Sequence, residues 1–257
     1  MELITRLNSR TIAAIIVFTA LALVLNLSPI KIPAPYAPFL IYQIWEIPIV
    51  AAFLLFGSKV GVPVAIINTL ALLVYFPGAL PTGPLYNLAA VLSTLLGIYI
   101  AQKAVVAFRS RSSEYTTEAL AYVILAMISI VAAFIQNVWW LLPGIIFILL
   151  SLTVIIETWS KKAVNAPRVQ SNLSGQSEAL LMTASTMAGV FARVVVMSVV
   201  NFVFLPFPPP VGYSYPREVV IAILPLVGLF NATLALYTIP IGHAIAKVVR
   251  SSLKLTR

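Results

Sequence analysis

Apolar residues run through this chain in long unbroken blocks, and polar positions are confined to short interruptions between them. The first block, TIAAIIVFTALALVLNL, covers residues 11–27 behind a short basic lead. Further blocks cover residues 44–56, 60–76, 85–105, 119–138, 141–159, 178–205 and 218–249, the last interrupted by Pro225 and Pro240. Inside hydrocarbon every backbone N–H and C=O must be satisfied within its own segment, so apolar runs of about 17–25 residues mean helices. The pattern predicts an all-α polytopic transmembrane helix bundle of about eight spans. Residues 1–105 supply the first four, 119–159 a tight two-helix hairpin, and 178–257 the last two, all in a single membrane domain. Trp139 and Trp140 fall at the tip of that hairpin, where they read as an interfacial aromatic anchor.

One stretch breaks the pattern. PIKIPAPYAPFLIYQ, residues 29–43, is rich in proline and aromatic residues and too irregular to cross a membrane as a helix. It leads straight into the short second block, which carries Glu46 just before Pro48 and ends in Gly57-Ser58-Lys59-Val60-Gly61. Two other proline-rich links, residues 77–84 and 206–216, separate later blocks.

Composition agrees with a bilayer as the solvent: 61% of residues are hydrophobic and 9% charged, and the mean hydropathy is +1.05. No soluble domain of 257 residues hides that much apolar surface. The net charge of +9 would suggest nucleic acid in a soluble protein. Here thirteen lysines and arginines fall in the loops of one side, Lys31 and Arg217 in the loops of the other, and Arg193 within a span. That bias predicts a multi-pass plasma-membrane protein with both termini cytoplasmic and no nucleic-acid partner, and it puts residues 29–43 outside. With no cysteine or aspartate and a single histidine, His243, thiolate chemistry, a Ser-His-Asp triad and a His-cluster metal site have no residues to use. No cofactor or metal is expected. There is no P-loop, so ATP hydrolysis by such a motif would have to come from another chain.

Polar side chains inside spans are costly and face a bundle interior or a cavity. Those here are Asn68, Asn87, Arg193, Asn201 and Asn231, with Glu46 near the outer end of the second block. Arg193 either pairs with Glu46 to set helix packing or faces a ligand. Singly, each asparagine reads as interhelical glue; together, toward the outer side, they read as recognition groups. Tyr36, Phe39, Tyr42 and Trp45 either stack on a planar ligand or sit in an interfacial belt.

Glu46-Ile47-Pro48, Leu54-Leu55-Phe56-Gly57 and Gly61, then GALPTGPLYN at 78–87, Asn201 with FVFLP, and Leu229-Phe230-Asn231 are short motifs in a characteristic order. In that order the chain resembles the S components, the substrate-binding membrane subunits of energy-coupling factor vitamin transporters, and their riboflavin-binding branch most. The resemblance implies a six-helix core into which residues 119–159 are inserted, and a protein that captures a vitamin from outside. It also implies docking on a transmembrane coupling subunit that carries two ATPases. By this resemblance Tyr36, Phe39 and Tyr42 would form a lid, and Asn87, Arg193, Asn201 and Asn231 would recognise substrate. Glu46 and Asn68 would support the pocket, and Ala13, Val17 and Ala20 would face the coupling subunit, though without that family's strict Ala-x-x-x-Ala spacing. Riboflavin binders of the family carry a lysine three residues after the last-span asparagine, where this chain has Leu234. Two other classes fit the composition: a stand-alone secondary transporter, which would show an internal repeat, and a membrane-embedded enzyme, for which Glu46 would be the acid or base.

Overall fold

The computed structural model describes residues 8–75, 82–109 and 175–252. Within them the order is α1 (Ser9–Leu27), β1 (Ile32–Ala34), β2 (Ala37–Tyr42), α2 (Glu46–Phe56), α3 (Ser58–Tyr75), α4 (Gly83–Arg109), α5 (Gly175–Phe204) and α6 (Arg217–Ser252). The chain divides into two compact units, one of Met1–Tyr99 with Ser185–Arg257 and one of Ile100–Ala184. In the second, the described parts are the end of α4, where Ala101 is buried, and the start of α5, where Leu181 is buried. The rest of the described residues belong to the first.

Five of the six described helices, all but α2, are long and apolar enough to cross a membrane. They also carry large apolar side chains on their outer faces, such as Ile16, Val17 and Val24 on α1 and Val74 on α3. Such faces suit lipid, and the protein is a helical membrane protein. The expected count of about eight spans is not supported. The hairpin predicted over 119–159, with Trp139 and Trp140, lies outside the described residues, as does most of the link at 77–84. The block at 44–56 is no span either: α2 has 11 residues, about 16 Å at 1.5 Å per residue, roughly half a hydrocarbon core.

The irregular stretch before α2 is an antiparallel β-hairpin rather than a plain loop. Ile32 pairs with Tyr42, Pro33 with Ile41 and Ala34 with Ala37, with an irregularity between Pro33 and Ala34. This pairing satisfies backbone groups that have no helix to satisfy them, as non-helical chain buried in a membrane protein requires. The turn end of the hairpin is tucked inward, since Ala34 and Ala37 are buried while Ile32 is exposed.

Gly57 then makes the turn between α2 and α3. Its φ of +77° is open to glycine at little cost, and its N–H closes α2 on the Phe53 carbonyl at 2.8 Å. The core lies between α1, α2, α3, α4 and α6, with Ile49, Val50, Val64, Ile98 and Ile239 fully buried. Close approaches rest on small residues: a Cβ on Gly97 of α4 would collide with the α5 backbone at Ala188 and Gly189, and one on Gly242 of α6 with Val50 of α2. Helix α6 runs unbroken through Pro225 and Pro240, where the sequence predicted an interruption.

Replacing Gly97 with leucine is expected to overpack the α4–α5 contact and lower stability by about 1–3 kcal/mol. Thermal unfolding in detergent, compared with Leu96→Ala on the exposed side of the same helix, checks this.

Candidate functional site

Four helices bring one polar group each to a buried cluster. Arg193, on α5, is 11 residues short of Phe204, about 16 Å from that end of the helix. Its Nη1 and Nη2 donate to Oε2 and Oε1 of Glu46 on α2, the second at 2.9 Å. Its Nε donates to Asn231 Oδ1 on α6 at 2.9 Å. The Thr94 hydroxyl of α4 stands 3.5 Å from Nη1, at the edge of hydrogen-bond range. Arg193, Glu46, Asn231 and Thr94 are each no more than 3% exposed.

The local structure orients each group. Glu46 is the first residue of α2, where the positive end of the helix dipole favours a carboxylate. Asn231 Nδ2 donates to the Val227 carbonyl one turn back, at 2.9 Å, which turns Oδ1 toward Arg193. The Thr94 hydroxyl donates to Ala90 O at 2.9 Å and so offers the guanidinium its lone pairs. A planar fork against a carboxylate is the arrangement by which arginine tolerates burial.

Four residues before Glu46, Tyr42 anchors the hairpin to α6. Its hydroxyl lies 2.6 Å from Thr233 Oγ1 and 2.5 Å from the Tyr36 hydroxyl. Thr233 spends its proton on the Leu229 or Phe230 carbonyl, at 2.9 and 3.0 Å. The chain of hydroxyls then has one direction: Tyr36 donates to Tyr42, Tyr42 to Thr233. Partial burial, then the bond to Tyr42, push the Tyr36 phenol above its ordinary pKa, in keeping with a donor role. The Tyr42 ring packs on Phe230 at 4.9 Å between centroids, and the Tyr237 hydroxyl donates to the Gln43 carbonyl at 2.6 Å. Thr233 is 16 residues into α6, about 24 Å from its start, so the foot of the hairpin sits deep beside that helix.

A second proline-rich segment closes the same end. Thr82 and Tyr86, at the start of α4, donate to the carbonyls of Pro210 and Val211 at 2.5 and 2.8 Å. The Pro209–Pro210 bond is cis, and the stacked rings of Tyr213 and Tyr215 lie 5.5 Å apart.

The structure therefore joins Glu46, Arg193 and Asn231, and joins Tyr36 to Tyr42. Phe39 lies on β2, with its side chain outside the described residues. Asn87 is exposed on α4, and Asn201 is half-buried with its amide on its own helix, at Met197 O, 2.7 Å. Asn68 is fully buried on α3. Ala13, Val17 and Ala20 share an exposed face of α1. Thr94, Thr233 and Tyr237 were missed by sequence reasoning. Their hydroxyls do not stand out in an apolar run, and only the spacing of Thr233 two residues beyond Asn231 gives a hint.

Among the described residues no group of three or more His, Cys, Asp or Glu could hold a metal ion. The fold and site define a helical membrane protein with a buried ion pair beneath a docked hairpin. No family model matches the chain, and no curated protein matches it.

Glu46→Gln or Arg193→Met leaves its partner charged and buried, and is expected to cost about 3–5 kcal/mol. The double variant Glu46→Gln/Arg193→Met should recover part of that loss in thermal unfolding. Thr233→Val, which removes the acceptor for Tyr42, should cost about 1 kcal/mol and speed hydrogen exchange across residues 32–42.

Proposed function

We propose that the protein is the substrate-capture membrane subunit of an importer of the energy-coupling factor type, taking up a vitamin or cofactor precursor, riboflavin first. The observation that carries this reading is the hairpin: a short antiparallel pair latched beside α6 by side chains, its turn buried, directly before the helix that begins with Glu46. Such an element has use as a flap in a protein that must enclose a small molecule and release it. In this reading the hairpin end faces outside, both termini are cytoplasmic, and the membrane is the plasma membrane. Tyr36, Phe39 and Tyr42 act as lid, with Asn87 and Asn201 as contacts reached when the lid opens. Arg193 and Asn231 shape the pocket floor with Glu46. The apolar face of α1 containing Ala13, Val17 and Ala20 docks on a coupling subunit bound to two ATPases, with membrane lipids covering the rest. A membrane enzyme using Glu46 has less support, since the carboxylate is already committed to Arg193.

Protein purified in mild detergent is expected to carry a vitamin-like ligand, visible by mass spectrometry and, for a flavin, by a yellow colour. A preparation that neither carries nor binds any such compound at sub-micromolar concentration contradicts the proposal.

A further inference from the structure

Between α3 and α4 lies an open slot of about 260 Å³. Phe53 of α2 and Leu95 of α4, both buried, form its back, and the half-buried Val62 and Leu92 form its walls. Ser58, Leu96 and Tyr99 stand exposed along its rim. Phe53 is seven residues beyond Glu46, about 10 Å along α2 and away from the hairpin.

The slot has a polar end and an apolar end. Ser58 is 17 residues before the end of α3 at Tyr75, and Tyr99 is 16 residues after the start of α4 at Gly83. Helices joined by so short a link run antiparallel, so these two rim residues stand at one level. From there the slot runs past Val62, one turn into α3, to Leu92, seven residues back along α4 and about 10 Å deeper. Phe53 lies against Gly61, also below the rim. The residues with hydroxyls are at the mouth, and those deeper carry only hydrocarbon. At about 30 Å³ for a group the size of a water molecule, the slot takes roughly nine methylene-sized groups. That suits a stretch of one acyl chain and is too little for a helix about 10 Å across. Left empty, it would forfeit van der Waals contacts along both helices.

Among the described residues of the first unit, the charges at this end have one sign. Lys59 follows Ser58, is exposed, and shares its helix face with Val62 three residues on. Arg250 Nη2 donates to the carbonyl of Leu54, next to Phe53, and Lys247 is one turn before Arg250 on α6. The carboxylates described in this unit, Glu46 and Glu218, begin α2 and α6 at the opposite ends of those helices.

We propose that the slot binds one phospholipid with an anionic headgroup, drawn from the surrounding leaflet. One acyl chain fills the slot and the phosphate sits at Lys59. Anionic and zwitterionic lipids offer the same chain, so the basic end supplies the preference. The site is separate from the capture function proposed above and stands or falls without it.

The test places full-length protein in nanodiscs of equal parts phosphatidylglycerol and phosphatidylcholine with identical chains and releases it into native mass spectrometry. One retained phosphatidylglycerol per protein is expected, at least about threefold more often than phosphatidylcholine. Lys59→Gln should bring the two lipids to parity. Lys31→Gln, which removes the same charge beside the hairpin, should keep the preference. Leu92→Trp, which fills the slot, should lose the retained lipid of either kind. Equal retention of the two lipids by the unmodified protein, or the same loss of preference in both lysine variants, overturns the anionic headgroup at Lys59. Retention by Leu92→Trp equal to that of the unmodified protein overturns the slot; should that variant not fold, the two lysine variants still decide. A lipid-free dimer that Leu92→Trp disperses assigns the slot to a second copy, and a lipid-free monomer leaves it without an occupant; either overturns the proposal.

Discussion

The contact between Arg193 and Glu46 is the constraint on which the rest of the first unit depends. Neither charge could be left alone at that depth, since each loses several kcal/mol of hydration there. The pair holds only if α2 begins at the level of Arg193, and α2 can begin there only if the chain before it is not helical. The β-hairpin follows from that: it fills the layer beside α6 with backbone that is internally paired. Thus one ion pair sets the start of a half-length helix, and the half-length helix makes room for a β-hairpin.

Helix α6 gathers these pieces. Asn231 orients the arginine, Thr233 receives Tyr42, and Tyr237 holds the Gln43 carbonyl, all within two turns. Farther along, Gly242 lets Val50 approach and Arg250 Nη2 donates to the Leu54 carbonyl at 3.2 Å, so α2 lies along α6 over its whole length. The hairpin's contacts therefore run to α6, and from Asn231 of α6 on to Arg193 of α5. The α5–α6 link is pinned to α4 at the same end by Thr82 and Tyr86.

Much of this was legible in the residues. Long apolar runs gave α1, α3, α4, α5 and α6 to within a few residues, because hydrocarbon permits no other spanning structure for them. A lone arginine in a span pointed to a partner, and Glu46 was the carboxylate at hand. The hairpin was not legible, because Pro33, Pro35 and Pro38 read as a break in structure, whereas here Pro33 and Pro38 lie within the two strands and Pro33 pairs with Ile41. The length of α2 was misjudged for a related reason: an apolar run says what tolerates burial, not whether lipid or protein does the burying. Asn26 was passed over because it stands near the end of its run, where an asparagine costs little if it reaches water; the structure turns it inward instead. Asn87 gives the converse case, a polar residue in an apolar run that the structure leaves exposed.

The central claim is that the hairpin is a flap that opens when no ligand is held. The chain has no cysteine, so Ile32→Cys on the hairpin and Leu229→Cys on α6, both at exposed positions, can carry spin labels without background. Pulsed electron-spin distance measurement in nanodiscs should give a single narrow short distance in excess riboflavin and a second, longer population once ligand is stripped. The same narrow distribution in both conditions would contradict the account.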